Sequence, residues 1–159
     1  MTVAGMRKHF VLIALVSFVA VGCSSTSKAA STTTAAGPST AETNALSSKA
    51  GLSGTVNFDS DPTNRVATPT SGSVDVEISD FYIGPTFINA KAGSTLHVSL
   101  KNAGKVEHSF SIDAVHVDQV VAAGGAATVD VQVPASGSLR FYCKFHQSMG
   151  MQGAILATS

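Results

Sequence analysis

The sequence predicts an all-β domain over residues 72–159, and three observations carry that prediction. Apolar and polar residues alternate with period two in successive short segments, turn-forming residues punctuate those segments, and no stretch shows a convincing helical period. Short strands with turns at this spacing make a sandwich or a barrel.

The segments run in order along the chain. Val74, Val76 and Ile78 alternate with Ser73, Asp75, Glu77 and Ser79, the pattern of a half-buried strand. Leu96, Val98 and Leu100 alternate with Thr95, His97, Ser99 and Lys101. His108, Phe110 and Ile112 form the next inward set, against Glu107, Ser109, Ser111 and Asp113. Val129, Val131 and Val133 follow, then Leu139, Phe141 and Cys143, with Ile155 in the closing segment. Between them stand Gly84-Pro85, Ala92-Gly93, Asn102-Ala103-Gly104, Gly124-Gly125 and Pro134-Ala135-Ser136-Gly137, all turn chemistry. A domain of about 88 residues is small but sufficient for a single core.

The N-terminus reads as an address. Arg7 and Lys8 precede an uncharged run, Phe10 to Val21, that ends in Gly22-Cys23. A positive start, a short apolar stretch and a small residue before the break make a secretory signal over residues 1–22. Spanning a bilayer takes about 20 apolar residues, and this run stops well short. Ala20-Val21-Gly22-Cys23 resembles a bacterial lipobox, with Ala where Leu is commoner. The resemblance implies cleavage before Cys23 and acylation of its thiol, holding the protein at the extracytoplasmic face of the membrane. Residues 23–71, rich in Ser, Thr and Ala, then read as a flexible linker. Within it only Thr55-Val56-Asn57-Phe58 has the character of an extra strand.

The chemistry gathers in the C-terminal half. Strand phase puts His108 on the face of Phe110 and Ile112, and Cys143 on the face of Phe141 and Leu139, so both point inward at strand ends. His146 and Met151 follow in the spacing Cys-x2-His-x4-Met. A thiolate and two imidazoles make a trigonal site that a weak axial thioether completes, a donor set suited to both Cu(I) and Cu(II). Structural zinc wants a closed set of Cys and His ligands, and a thioether in fourth place argues against it. His97 and His116 lack such support and read as surface residues, while Glu107 points opposite to His108.

Residues 72–159 resemble a cupredoxin of the plastocyanin kind. Tyr142-Cys143-x-x-His146-Gln147-x-x-Gly150-Met151-x-Gly153 is similar to that family's C-terminal copper loop, and Asn102-Ala103-Gly104 through His108 to its first-histidine segment. The resemblance implies a Greek-key β-sandwich of about eight strands and one mononuclear type 1 copper on His108, Cys143, His146 and Met151. The chain departs from the family pattern at Glu107, Ser109, Lys144 and Phe145, where relatives often carry Pro, Asn, Ser and Pro. Met149 competes for the axial role, and the family spacing with its trailing Gly153 favours Met151. Because Phe145 keeps an N–H that Pro lacks, two backbone donors to the sulfur are expected, from Phe145 and from Ser109.

A formal net charge of zero gives no electrostatic footprint for nucleic acid. The chain has room for one redox site and one docking surface, so the expected role is a monomeric, non-enzymatic carrier of single electrons between redox proteins. Catalysis would need a second metal centre with further histidines, for which His97 and His116 do not form a set. Copper delivery or storage is the alternative, although such roles favour exposed Met and His clusters over a buried frame.

Overall fold

The alternating segments fold as strands whose apolar sides face one another across two sheets. The computed structural model describes residues 36–159, so the signal segment, Cys23 and the start of the linker lie outside the described residues. Among the described residues, ten strands follow one α-helix, α1 (Thr40–Lys49). They are β1 (Val66–Ala67), β2 (Ser73–Ser79), β3 (Tyr82–Gly84), β4 (Phe87–Lys91), β5 (Thr95–Asn102), β6 (His108–Ile112), β7 (Val117–Val121), β8 (Ala126–Gln132), β9 (Ser138–Tyr142) and β10 (Gln152–Thr158).

The larger sheet has the order β1-β4-β10-β9-β6-β7 and the smaller β3-β2-β5-β8. β2 runs parallel to β5 and β4 parallel to β10, whereas β9 and β10 pair antiparallel, as do β6 and β7. Val74, Val76, Ile78, Leu96, Val98 and Leu100 from the smaller sheet meet Phe110, Ile112, Phe141 and Ile155 from the larger in one core. Each such side chain contributes about 1.5–3 kcal/mol when fully buried. The expected sandwich is therefore present, with β1, β3, β4 and β7 as strands that no long alternation announced.

Strand β6 departs from simple alternation, since all five of its residues are buried. It lies between β9 and β7, and hydroxyl pairing makes burial of its outer side tolerable. Ser109 and Ser111 sit 3.0 Å apart through their Oγ atoms, Ser111 donates to Asp118 at 2.8 Å, and Lys144 N–H donates to Ser109 Oγ at 2.9 Å.

The flexible linker expected over residues 23–71 is corrected for residues 36–71. Helix α1 opens with a capping box, in which Ser39 Oγ accepts from Glu42 N–H and Glu42 Oε2 accepts from Ser39 N–H. Leu46 from the helix, and Ala50, Leu52, Phe58 and Val66 beyond it, pack on Phe87, Ala154 and Leu156. Those last three are apolar residues on the outer side of β4 and β10, and water would otherwise meet them. Thr55 to Phe58 does not form a strand, but it does pack: Phe58 lies against Phe87 with ring centroids 6.3 Å apart.

Candidate metal centre

Three adjacent strands, β6, β9 and β10, deliver the candidate residues to one end of the sandwich. His108 is the first residue of β6, Cys143 follows β9 directly, and Met151 immediately precedes β10. β9 and β10 are antiparallel neighbours, so residues 143–151 form a loop whose ends meet. Cys143 N–H donates to the Met151 carbonyl at 3.0 Å and closes its base. Inside the loop, His146 N–H donates to the Cys143 carbonyl at 3.0 Å, and the His146 carbonyl accepts from Met149 N–H and Met151 N–H. Gly150 has φ +96°, a conformation that turns the chain back toward β10 and favours glycine.

Side chains converge within this frame. Nδ1 of His108 lies 3.7 Å from Cys143 Sγ, Nδ1 of His146 lies 3.5 Å from it, and the two nitrogens are 3.2 Å apart. A point equidistant from those three atoms is about 2 Å from each, the bond length of a first-row metal to imidazole nitrogen. His108 and Cys143 are buried and His146 is half-buried. Two imidazoles and a thiol, with no carboxylate among them, fit copper.

Electrostatics around His108 prepare it for such a role. Its Nε2 lies 3.3 Å from Oδ1 of Asp80, in the turn after β2. An ionised carboxylate only accepts, so this contact puts the proton on Nε2 and leaves the Nδ1 lone pair facing Cys143. The Lys105 N–H, donated to the same oxygen at 3.0 Å, and the contact with His108 hold Asp80 below the usual carboxylate range. Gly104 makes room for the pair, since a Cβ there would come within 2.5 Å of Asp80 Oδ1 and 3.0 Å of His108 Nε2.

The two methionines separate by burial. Met151 is fully buried in the core cluster that contains Cys143, whereas Met149 is 50% exposed. Of the two expected backbone donors to sulfur, Ser109 N–H is found, 3.4 Å from Cys143 Sγ. The Phe145 expectation is corrected: its N–H makes no hydrogen bond to Cys143 Sγ, because the turn instead directs the next N–H, that of His146, to the Cys143 carbonyl. His97 and His116 are exposed and away from the cluster, His97 pairing with Asp130 at 2.6 Å. Sequence reasoning missed Asp80, which is 28 residues from His108 and in no motif with it. It also missed Phe81, whose ring packs edge-on against His146 at 5.4 Å.

The sequence profile of the cupredoxin-like domain matches residues 12–157. The copper-resistant cuproprotein CopI of Pseudomonas aeruginosa is 39% identical over 54 residues, which cover 33% of this chain and 30% of that protein. Among solved structures, auracyanin of Roseiflexus castenholzii superposes with a TM-score of 0.51 at 17% identity, covering 57% of this chain and 100% of its own. The metal-binding domain of the Streptococcus pneumoniae Cu(I)-exporting P-type ATPase CopA gives a TM-score of 0.50 at 9% identity, over 60% and 98% of the two chains. At such identities the structural likeness is one of fold.

Proposed function

Because the chain belongs to the cupredoxin-like family, we propose that it is a blue copper protein carrying single electrons between redox partners, with one copper held by His108, Cys143, His146 and Met151. The observation that carries the reading is the convergence of two imidazole nitrogens and one thiol sulfur at the end of a packed sandwich. Copper bound there supplies a one-electron couple between Cu(I) and Cu(II).

The chain's own residues account for the rest. Asp80 holds the His108 tautomer, and Ser109 N–H draws electron density from the Cys143 sulfur. The 143–151 loop, closed at its base, keeps His146 and Met151 in place, so the frame changes little when charge does. His146 is the least buried of the four, and Phe81 and Phe145 pack edge-on against it, offering an apolar exit for the electron.

In this reading the protein is exported and anchored through acylated Cys23, works as a monomer, serves redox proteins and catalyses no reaction of its own. Copper delivery or storage is the second reading, favoured by the partial likeness to a copper-resistant cuproprotein. An absorption spectrum of the copper-loaded full chain tests the proposal. An intense thiolate-to-copper charge-transfer band with reversible voltammetry and slow copper exchange is expected. A colourless complex, or one that exchanges copper rapidly, would overturn the carrier reading.

A further inference from the structure

Asn57 lies in the segment between α1 and β1, outside strand β6 and the 143–151 loop that carry the four candidate ligands. Its side-chain amide donates to the Phe81 carbonyl and to the Met149 carbonyl, both at 2.8 Å. An Asn amide has two N–H bonds, and both are used here. Its backbone N–H adds a third bond, to the Gly150 carbonyl at 2.9 Å. Just past the loop, at the first residue of β10, Gln152 Nε2 returns the contact, donating to the Ser53 and Thr55 carbonyls at 2.8 Å each.

The acceptors are the informative part. Phe81 has φ 76° and Gly150 has φ 96°, so Asn57 engages two sharp reversals of the chain that lie far apart in sequence. These reversals border His146, for Phe81 packs edge-on against its ring and Met149 N–H bonds its carbonyl. Contact is close: a Cβ at position 150 would come within 2.8 Å of Asn57 Oδ1, so a side chain there would have to displace the Asn57 amide.

We propose that Asn57 is a positioning residue of the metal centre: it ties the Phe81 turn to the end of the 143–151 loop and thereby fixes His146. The proposal rests on the copper reading above, but it concerns a segment that reading does not use. Residues 53–57 are on this view part of the site, and loss of the amide frees His146 to swing from the cluster.

The test uses the full chain with Asn57→Ala, Asn57→Asp and, as control, Asn89→Ala. Asn57→Asp keeps the shape but has no side-chain N–H to give, so it separates donation from volume. Asn89 Nδ2 donates to Thr68 Oγ1 at 3.0 Å, a tie between the chain just after β1 and strand β4 that involves none of the four candidate ligands. Melting curves first establish that each variant folds, and Asn57→Asp stands in should Asn57→Ala not fold. Both Asn57 variants are expected to release Cu(I) to a chelator about tenfold faster, the effect of losing one or two net hydrogen bonds. In the metal-free protein they are expected to speed hydrogen exchange at the Met151 and Gln152 amides, while Asn89→Ala matches wild type in both readouts. Wild-type release and exchange in the Asn57 variants, or equal changes in Asn89→Ala, would overturn the proposal. Should wild type prove colourless with copper, the copper reading falls and the hydrogen-exchange comparison alone decides whether Asn57 holds the loop.

Discussion

The backbone N–H of Ser109 points at the sulfur of Cys143 from 3.4 Å, so the strand that begins with one candidate ligand donates a hydrogen bond to another. Ser109 is fully buried and its hydroxyl accepts from Lys144 N–H at 2.9 Å, which locks β6 to the residue after Cys143. Ser109 thus both helps to hold Cys143 in place and donates to its sulfur. A donor to a thiolate withdraws density that would otherwise favour Cu(II), and so raises the reduction potential.

One donor rather than two has a consequence at position 145. Phe145→Pro removes an N–H that does not reach sulfur, and the turn retains the His146 N–H bond to the Cys143 carbonyl. The potential of Phe145→Pro is therefore expected to equal that of wild type, provided the visible spectrum shows unchanged ligands. Voltammetry of the two proteins checks this. A lower potential in the variant would reveal a second donor.

Cys143→Ser is expected to abolish the charge-transfer band and leave the sandwich folded. Serine is nearly isosteric, and its hydroxyl can still accept from Ser109 N–H, so the metal-free protein should lose no more than about 2 kcal/mol. Denaturant melts and a visible spectrum read the two effects separately. A surviving intense band would remove Cys143 from the ligand set.

The axial position can be read in the same way. Met151 is fully buried beside Cys143 in the core, and leucine preserves its volume at a cost below about 1.5 kcal/mol. Met151→Leu should raise the potential, because losing a weak donor disfavours Cu(II) more than Cu(I). Met149→Leu should not, since Met149 is half exposed. The opposite pattern would move the axial ligand by two residues.

Much of this was legible in the sequence, and the reasons are local. Strands β2, β5 and β8 follow their alternation because one side of each faces the core and the other faces water. His108 and Cys143 were placed inward by the same period, and the short Cys-to-Met spacing fixed the loop. What escaped depended on contacts distant in sequence. Nothing near Asp80 or Asn57 marks either one, because their partners are 28 and 92 residues away. Segment 36–71 misled through its composition, although Leu46, Ala50, Leu52, Phe58 and Val66 suffice to cover the outer side of β4 and β10. Its helix did carry a signal, the Ser39-x-x-Glu42 capping box, which an apolar period too weak to notice concealed.

The proposed electron exit at His146 lies among exposed apolar side chains. Phe81, Phe145 and Met149 are 39%, 47% and 50% exposed, and they gather into one apolar patch at His146. Two of them pack edge-on against His146, and the third belongs to the same short turn, with its N–H bonded to the His146 carbonyl. An apolar ring of this size around a half-buried imidazole suits a small, short-lived interface of below about 1,200 Å². Met149→Lys puts a charge into that ring that must be desolvated for each encounter. The backbone carbonyl that Asn57 holds is unaffected by the change of side chain, so the loop should keep its shape. Electron transfer to a redox partner is expected to slow, about tenfold for a penalty near 1.4 kcal/mol, while the copper spectrum and potential stay as in wild type. Stopped-flow kinetics with the partner measure the first and static spectroscopy the second. Unchanged kinetics would show that electrons leave by another face, and an altered spectrum would show that Met149 takes part in holding the site.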